Sequence, residues 1–133
     1  MDRSLLVVED DVVQRDAIVN WFTRAGYRVV GVGHPRCALQ AASFQQFQVA
    51  ILDASLPEID GIELIERLKR TQDAMQFVIM SGYEYPLPRA KDIGAFAFLL
   101  KPCKLTHLGM IIEEAFEKAV AEKPQAEPAG RTH

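Results

Sequence analysis

The hydrophobic period of this chain switches repeatedly between two patterns, and that constrains the fold more than any other feature. Short, near-continuous apolar runs occur at Leu5 to Val8, Tyr27 to Val32, Val49 to Leu52, Phe77 to Met80 and Phe96 to Leu100. Runs that are continuous rather than alternating suit parallel strands covered on both faces. Between them the apolar residues recur at helical spacing. A first helix is expected from about Val12 to Arg24, with Val13, Ala17, Ile18, Trp21 and Phe22 on one side, Trp21 in the core, and Gly26 as the stop signal. A second runs from about Pro35 to Gln46, its proline suited to a first helical position. A third covers about Ile62 to Arg70, with Ile62, Ile65 and Leu68 inward and the cations Lys69 and Arg70 in its last turn.

The last helix carries a stripe of Leu105, Leu108, Ile112, Ala115, Phe116 and Ala119. A fourth helical segment before it is expected to be short or irregular. Pro86 and Pro88 lie between Ser81 and Gly94, and Pro88 to Ile93 gives only about one and a half turns. From Lys123 onward Pro, Glu, Ala and Gly dominate. Residues 1–122 are therefore expected to form the domain and 123–133 a disordered tail or the start of a linker. Five strands alternating with helices imply an α/β fold, an open parallel sheet wound on both sides.

Composition removes several classes. At 133 residues the chain suits one domain able to bury a core without staples. A net charge of −3 and a pI of about 5.6 offer no general attraction to nucleic acid or an anionic membrane. Cys37 and Cys103 make no framework or CxxC pair, and His34, His107 and His133 fall at no ligand spacing, so no zinc site is expected. The expected setting is reduced and cytoplasmic, with no membrane span.

In doubly wound sheets, ligands bind beyond the carboxyl ends of the strands. Those ends carry Glu9, Asp10 and Asp11 after the first run, Asp53 after the third, Ser81 after the fourth and Lys101 after the fifth. Carboxylates converging at one edge repel one another, and a hard divalent cation such as magnesium relieves that. Asp53 can then act as a nucleophile toward a phosphoryl group, with the cation and Lys101 neutralising charge and Ser81 hydrogen-bonding a phosphoryl oxygen. A cis Lys101–Pro102 bond would help aim the lysine inward.

The segments LLVVEDD, ILDASLPEIDGIELI, VIMSG and GAFAFLLKP resemble those of CheY-like receiver domains of two-component response regulators, over roughly residues 3 to 122. The resemblance implies the flavodoxin-like strand order 2-1-3-4-5 and a magnesium-dependent phosphoacceptor, with manganese as an alternative metal. It implies Asp53 as the site of phosphorylation. Asp10, Asp53 and the backbone carbonyl of Ser55 would be the metal ligands, with Glu9 acting through water. Ser81 and Phe98 would be the switch pair and Lys101 the family lysine. The implied partner is a histidine kinase or a phosphotransfer protein, with an unknown downstream effector. The domain is expected to be a signalling module rather than an enzyme, and a monomer or weak dimer, because the shortened fourth helical segment disfavours the symmetric dimer of many relatives.

Plainer roles compete at several positions. Asp11 suits a helix cap, Asp60-Gly61 a turn and helix start, and Phe98 a core position. Gly31-x-Gly33 suits a strand-to-helix turn, because Arg36 occupies the third glycine position of a dinucleotide fingerprint. A magnesium-dependent phosphohydrolase would place a second carboxylate two residues after the nucleophile, where this chain has Ser55. A phosphorylation-independent interaction domain would lack the acidic pair or the lysine. A receiver cut from a hybrid kinase or transcription regulator would share every one of these features.

Overall fold

The computed structural model describes residues 3–54, 56, 61–83 and 91–122. Five strands, β1 (Ser4–Val8), β2 (Arg28–Val32), β3 (Val49–Asp53), β4 (Gln76–Ser81) and β5 (Ala97–Leu100), form one parallel sheet in the order β2-β1-β3-β4-β5. Four helices are described: α1 (Val12–Arg24), α2 (Pro35–Phe44), α3 (Gly61–Thr71) and α4 (Leu105–Glu122). The expected α/β fold class, winding and strand order are all present.

Alternate strand residues divide between two cores, as the two-residue period of a strand requires. Leu6, Val8, Ala50, Leu52, Phe77 and Ile79 pack with Ala38 and Ala42 of α2 and Ile62, Leu64, Ile65 and Leu68 of α3. Leu5, Val7, Val49, Ile51, Val78 and Met80 pack with Ile18 and Phe22 of α1 and Leu108, Ile112, Ala115 and Phe116 of α4. Both faces of the central strands are therefore apolar, which is why their sequences read as continuous runs.

The helix ends follow local chemistry. Asp11 caps α1, its Oδ1 accepting from the Val13 and Gln14 N–H groups at 2.9 and 3.2 Å. Those hydrogen bonds, that to Gln14 foremost, hold the Asp11 carboxyl below its ordinary value. At the other end, Gly26 adopts a φ of +99°, and the Gly26 and Tyr27 N–H groups donate to Thr23 O and Phe22 O. This is a Schellman closure with glycine at the left-handed position. Pro35 opens α2, with His34 as its cap. Lys69 and Arg70 lie in the last turn of α3, and the Lys69 ammonium also donates to the carbonyl of Ile93, tying that helix to the segment before β5.

One packing expectation is corrected. Trp21 is 39% exposed and Val13 79% exposed, while Ile18 and Phe22 are the buried residues of α1. The buried arc of α1 is narrower than its apolar content. The Trp21 indole lies against Gly109 of α4, in the groove between the helices rather than beneath them. The expected fourth helical segment, Pro88 to Ile93, falls partly outside the described residues, and Asp60 and residues 123–133 fall wholly outside them.

Gly61 has a particular reason to be glycine. Its N–H donates to Ala54 O at 3.0 Å, and a Cβ there would sit 2.6 Å from Asp53 O and 2.9 Å from Ala54 Cα. The start of α3 therefore presses on the backbone at the end of β3. Gly61→Ala is expected to destabilise the fold by about 1–3 kcal/mol through overpacking against rigid backbone, measured by urea unfolding. A loss under about 0.5 kcal/mol would mean that the contact yields freely.

Candidate functional site

The carboxyl edge of the sheet gathers the residues that follow its apolar runs. Glu9 succeeds β1 and continues its ladder by one bond, its N–H donating to Val32 O at 3.0 Å. Asp53 is the last residue of β3 and Ser81 the last of β4. Ala54 N–H donates to Met80 O at 2.9 Å, and Lys101 N–H donates to Ser81 O at 2.8 Å, so the ladders run on past the strand ends. Lys101 follows β5 directly, and its peptide bond to Pro102 is cis.

The Lys101 ammonium donates to Glu9 Oε1 and to Asp53 Oδ2, each at 3.0 Å. Glu9 is 3% exposed and Asp53 8%, so these are close, largely desolvated ion pairs. Burial pushes Glu9 above its ordinary value, against the lowering effect of the Lys101 and Asp11 hydrogen bonds. Burial alone would push Lys101 down, but its hydrogen bonds to Asp53 and Glu9, with their charges, leave it above the usual lysine range. Lys101 is thus held in its charged form.

Oxygen atoms of Glu9, Asp10 and Asp53 all lie within 4.8 Å of one another, with Asp10 the exposed member. Counted at formal charge, three carboxylates against one ammonium leave a net charge of −2, and the donors are hard oxygens. Both properties fit magnesium or manganese. The loop carrying Asp10 is pinned on both sides. Asp11 N–H donates to Glu9 Oε2 at 3.1 Å, and the Arg15 guanidinium donates to Glu9 O at 3.0 Å.

Ser81 is fully buried, and its Oγ accepts from Tyr83 N–H at 3.0 Å. Accepting that bond leaves the hydroxyl proton as the donor a phosphoryl oxygen requires. Phe98 is half-buried and packs against the α2/α3 core, opposite Ile79 in the β4–β5 register. Ser81 pairs with Leu100, so strand alternation puts Ser81 and Phe98 on one face as diagonal neighbours. Ser55 lies outside the described residues. The structure therefore brings together Glu9, Asp10, Asp53 and Lys101, and sets Ser81 on the strand beside Asp53. Sequence reasoning singled out all five but missed Arg15; the available signal was the pair Gly31 in β2 and Gly33 just after it, over which this side chain lies.

Comparison with known proteins agrees with this architecture. A sequence model of the response regulator receiver domain matches residues 5–113. The chain is 32% identical over 130 residues to the transcriptional regulatory protein FixJ of Bradyrhizobium diazoefficiens, covering 96% of this chain and 60% of FixJ. It is 37% identical over 106 residues to the transcriptional activator protein PfeR of Pseudomonas aeruginosa, covering 78% of this chain and 34% of PfeR. The chain thus spans about a third to three-fifths of the length of these relatives. A crystal structure of a CheY-like response regulator receiver domain protein from Methanospirillum hungatei JF-1 superposes with a TM-score of 0.87. It is 24% identical and covers 92% of this chain and 99% of that one, a likeness of fold. With the family match spanning most of its length and the parallel sheet placing the acidic cluster and lysine at one edge, this chain belongs to the response-regulator receiver domains.

Proposed function

We propose that this receiver accepts a phosphoryl group on Asp53 from a histidine kinase or phosphotransfer protein. The observation that carries the reading is the convergence of Asp53, two further acidic groups and the Lys101 ammonium. Asp53 sits at the end of a central strand and is nearly buried, its Oδ2 accepting from the Lys101 ammonium at 3.0 Å. One carboxylate oxygen attacks phosphorus, the bond from phosphorus to the donor's leaving atom breaks, and the leaving group carries away the electron pair. Lys101, already bonded to Asp53 Oδ2, is placed to neutralise charge gathering on the phosphoryl oxygens. The Ser81 hydroxyl is the candidate donor to one of those oxygens.

Asp10, Asp53 and the Ser55 carbonyl would hold magnesium, or manganese, directly, and Glu9 would act through water. Bound there, the ion would offset the carboxylate charge and that of the incoming phosphoryl group. Glu9 has a second part in this reading. Its direct bond to Lys101 keeps the ammonium beside Asp53.

Phosphorylation adds roughly −1.5 to −2 charges at this edge. Movement of Ser81 toward the phosphoryl group would free space near Phe98 on the same face, biasing the β5–α4 surface toward a second packing. The domain would act as a signalling module whose chemistry is limited to its own phosphorylation and slow dephosphorylation. Nucleic-acid contact, where a regulator of this family makes it, would belong to a separate effector domain. No helix among the described residues is long and apolar enough to cross a membrane.

Incubation with acetyl phosphate and magnesium is expected to add one phosphoryl mass to the wild type and none to Asp53→Asn, read by intact-protein mass spectrometry. An equal adduct on the variant would sink the assignment. Lys101→Ala leaves Glu9 and Asp53 without their shared cation. It is expected to lower stability without metal by on the order of 3 kcal/mol, with magnesium recovering part of the loss in thermal unfolding. Unchanged stability would show that the triad contributes little to the fold.

A further inference from the structure

The Gly31-x-Gly33 pair and Arg15 have no part in the chemistry above, yet together they bracket the residue most exposed in the acidic cluster. Arg15 makes two bonds, one on each side of Asp10. Its backbone N–H donates to Asp11 O at 2.8 Å, the first helical bond of α1, and its guanidinium Nη1 reaches back to Glu9 O at 3.0 Å. The strand end and the helix start are thereby joined through one side chain.

That reach depends on the neighbouring strand. A Cβ at Gly33 would lie 2.4 Å from Arg15 Nη1, and one at Gly31 would lie 2.6 Å from Val19 Cγ2 and 3.4 Å from Arg15 Cγ. Neither glycine is needed for its backbone angles, since positive φ occurs among the described glycines only at Gly26 and Gly94. What both provide is room. The arginine stem crosses Gly31, and its head group occupies the space a side chain at Gly33 would fill.

We propose that Arg15 is a positioning residue for Asp10, clamping the Glu9 carbonyl to the first turn of α1 across a glycine track at Gly31 and Gly33. The proposal rests on the reading of the sheet edge as a divalent-cation site. It makes a prediction opposite in sign to simple electrostatics. Arg15 is a cation near a cation site, so removing its charge should tighten magnesium binding if charge alone matters. A clamp whose loss lets Asp10 wander should weaken it, as loss of groups that orient metal ligands does.

The test compares wild type, Arg15→Gln and Gly33→Ala by isothermal titration with magnesium chloride and by amide hydrogen exchange without metal. Gly33→Ala leaves the arginine and its charge in place but denies its head group the space. Both variants are expected to bind magnesium about tenfold more weakly. Both should also exchange the Asp11 amide, which bonds Glu9 Oε2, faster than the wild type while the core amides of β3 remain protected. Equal or tighter binding in Arg15→Gln, with wild-type protection at Asp11, would overturn the proposal. A wild-type protein that binds no magnesium would instead count against the proposed function, and the Asp11 exchange rates alone would then decide the clamp.

Discussion

A lysine ammonium held between two nearly buried carboxylates is the interaction on which the functional edge of this domain depends. Glu9 directly follows β1 and Asp53 ends the neighbouring β3, so the fold itself forces like charges together. Removed from water, that pair would be costly without a counter-charge. Lys101 supplies one from the far side of the sheet, 92 residues from Glu9 in sequence. It leaves the cluster still negative, with Asp10 facing solvent. A site that is balanced in part and open on one side is suited to a further cation and then an anion.

The scaffold serves this edge in two ways. Parallel strands covered on both faces bring β1, β3, β4 and β5 to a common end, where their next residues emerge together. Close backbone approaches then fix those residues. Gly61 lets α3 press on the carbonyl of Asp53, and Gly31 and Gly33 let Arg15 cross to the carbonyl of Glu9. In each case a missing side chain makes room for a contact with the backbone of a site residue. The main chain of the site is thus held by neighbouring elements, not only its carboxylates.

Much of this was legible in the sequence, for a physical reason. Strands buried on both faces read as uninterrupted apolar runs, so their ends, and the polar residues just beyond, are easy to place. Glu9, Asp10, Asp53, Ser81 and Lys101 all follow that rule. The failures occur where the answer depends on which arc of a helix is covered. Val13 and Trp21 match the period of α1 but lie beyond the arc that the sheet and α4 bury. Arg15 escaped notice because its partner is a carbonyl and its path is cleared by a different strand. Neither leaves a mark in local periodicity. The glycine pair was visible, but its purpose required the β1–β2 register.

In the proposed function Asp53, rather than its acidic neighbours, receives the phosphoryl group. Reductive trapping tests it most directly. After magnesium-dependent phosphorylation, hydride reduction converts an aspartyl-phosphate to homoserine, and peptide mapping by mass spectrometry locates the converted residue. Homoserine is expected at position 53, with positions 9 and 10 unchanged. Conversion at Asp10 or Glu9 with Asp53 intact would contradict it.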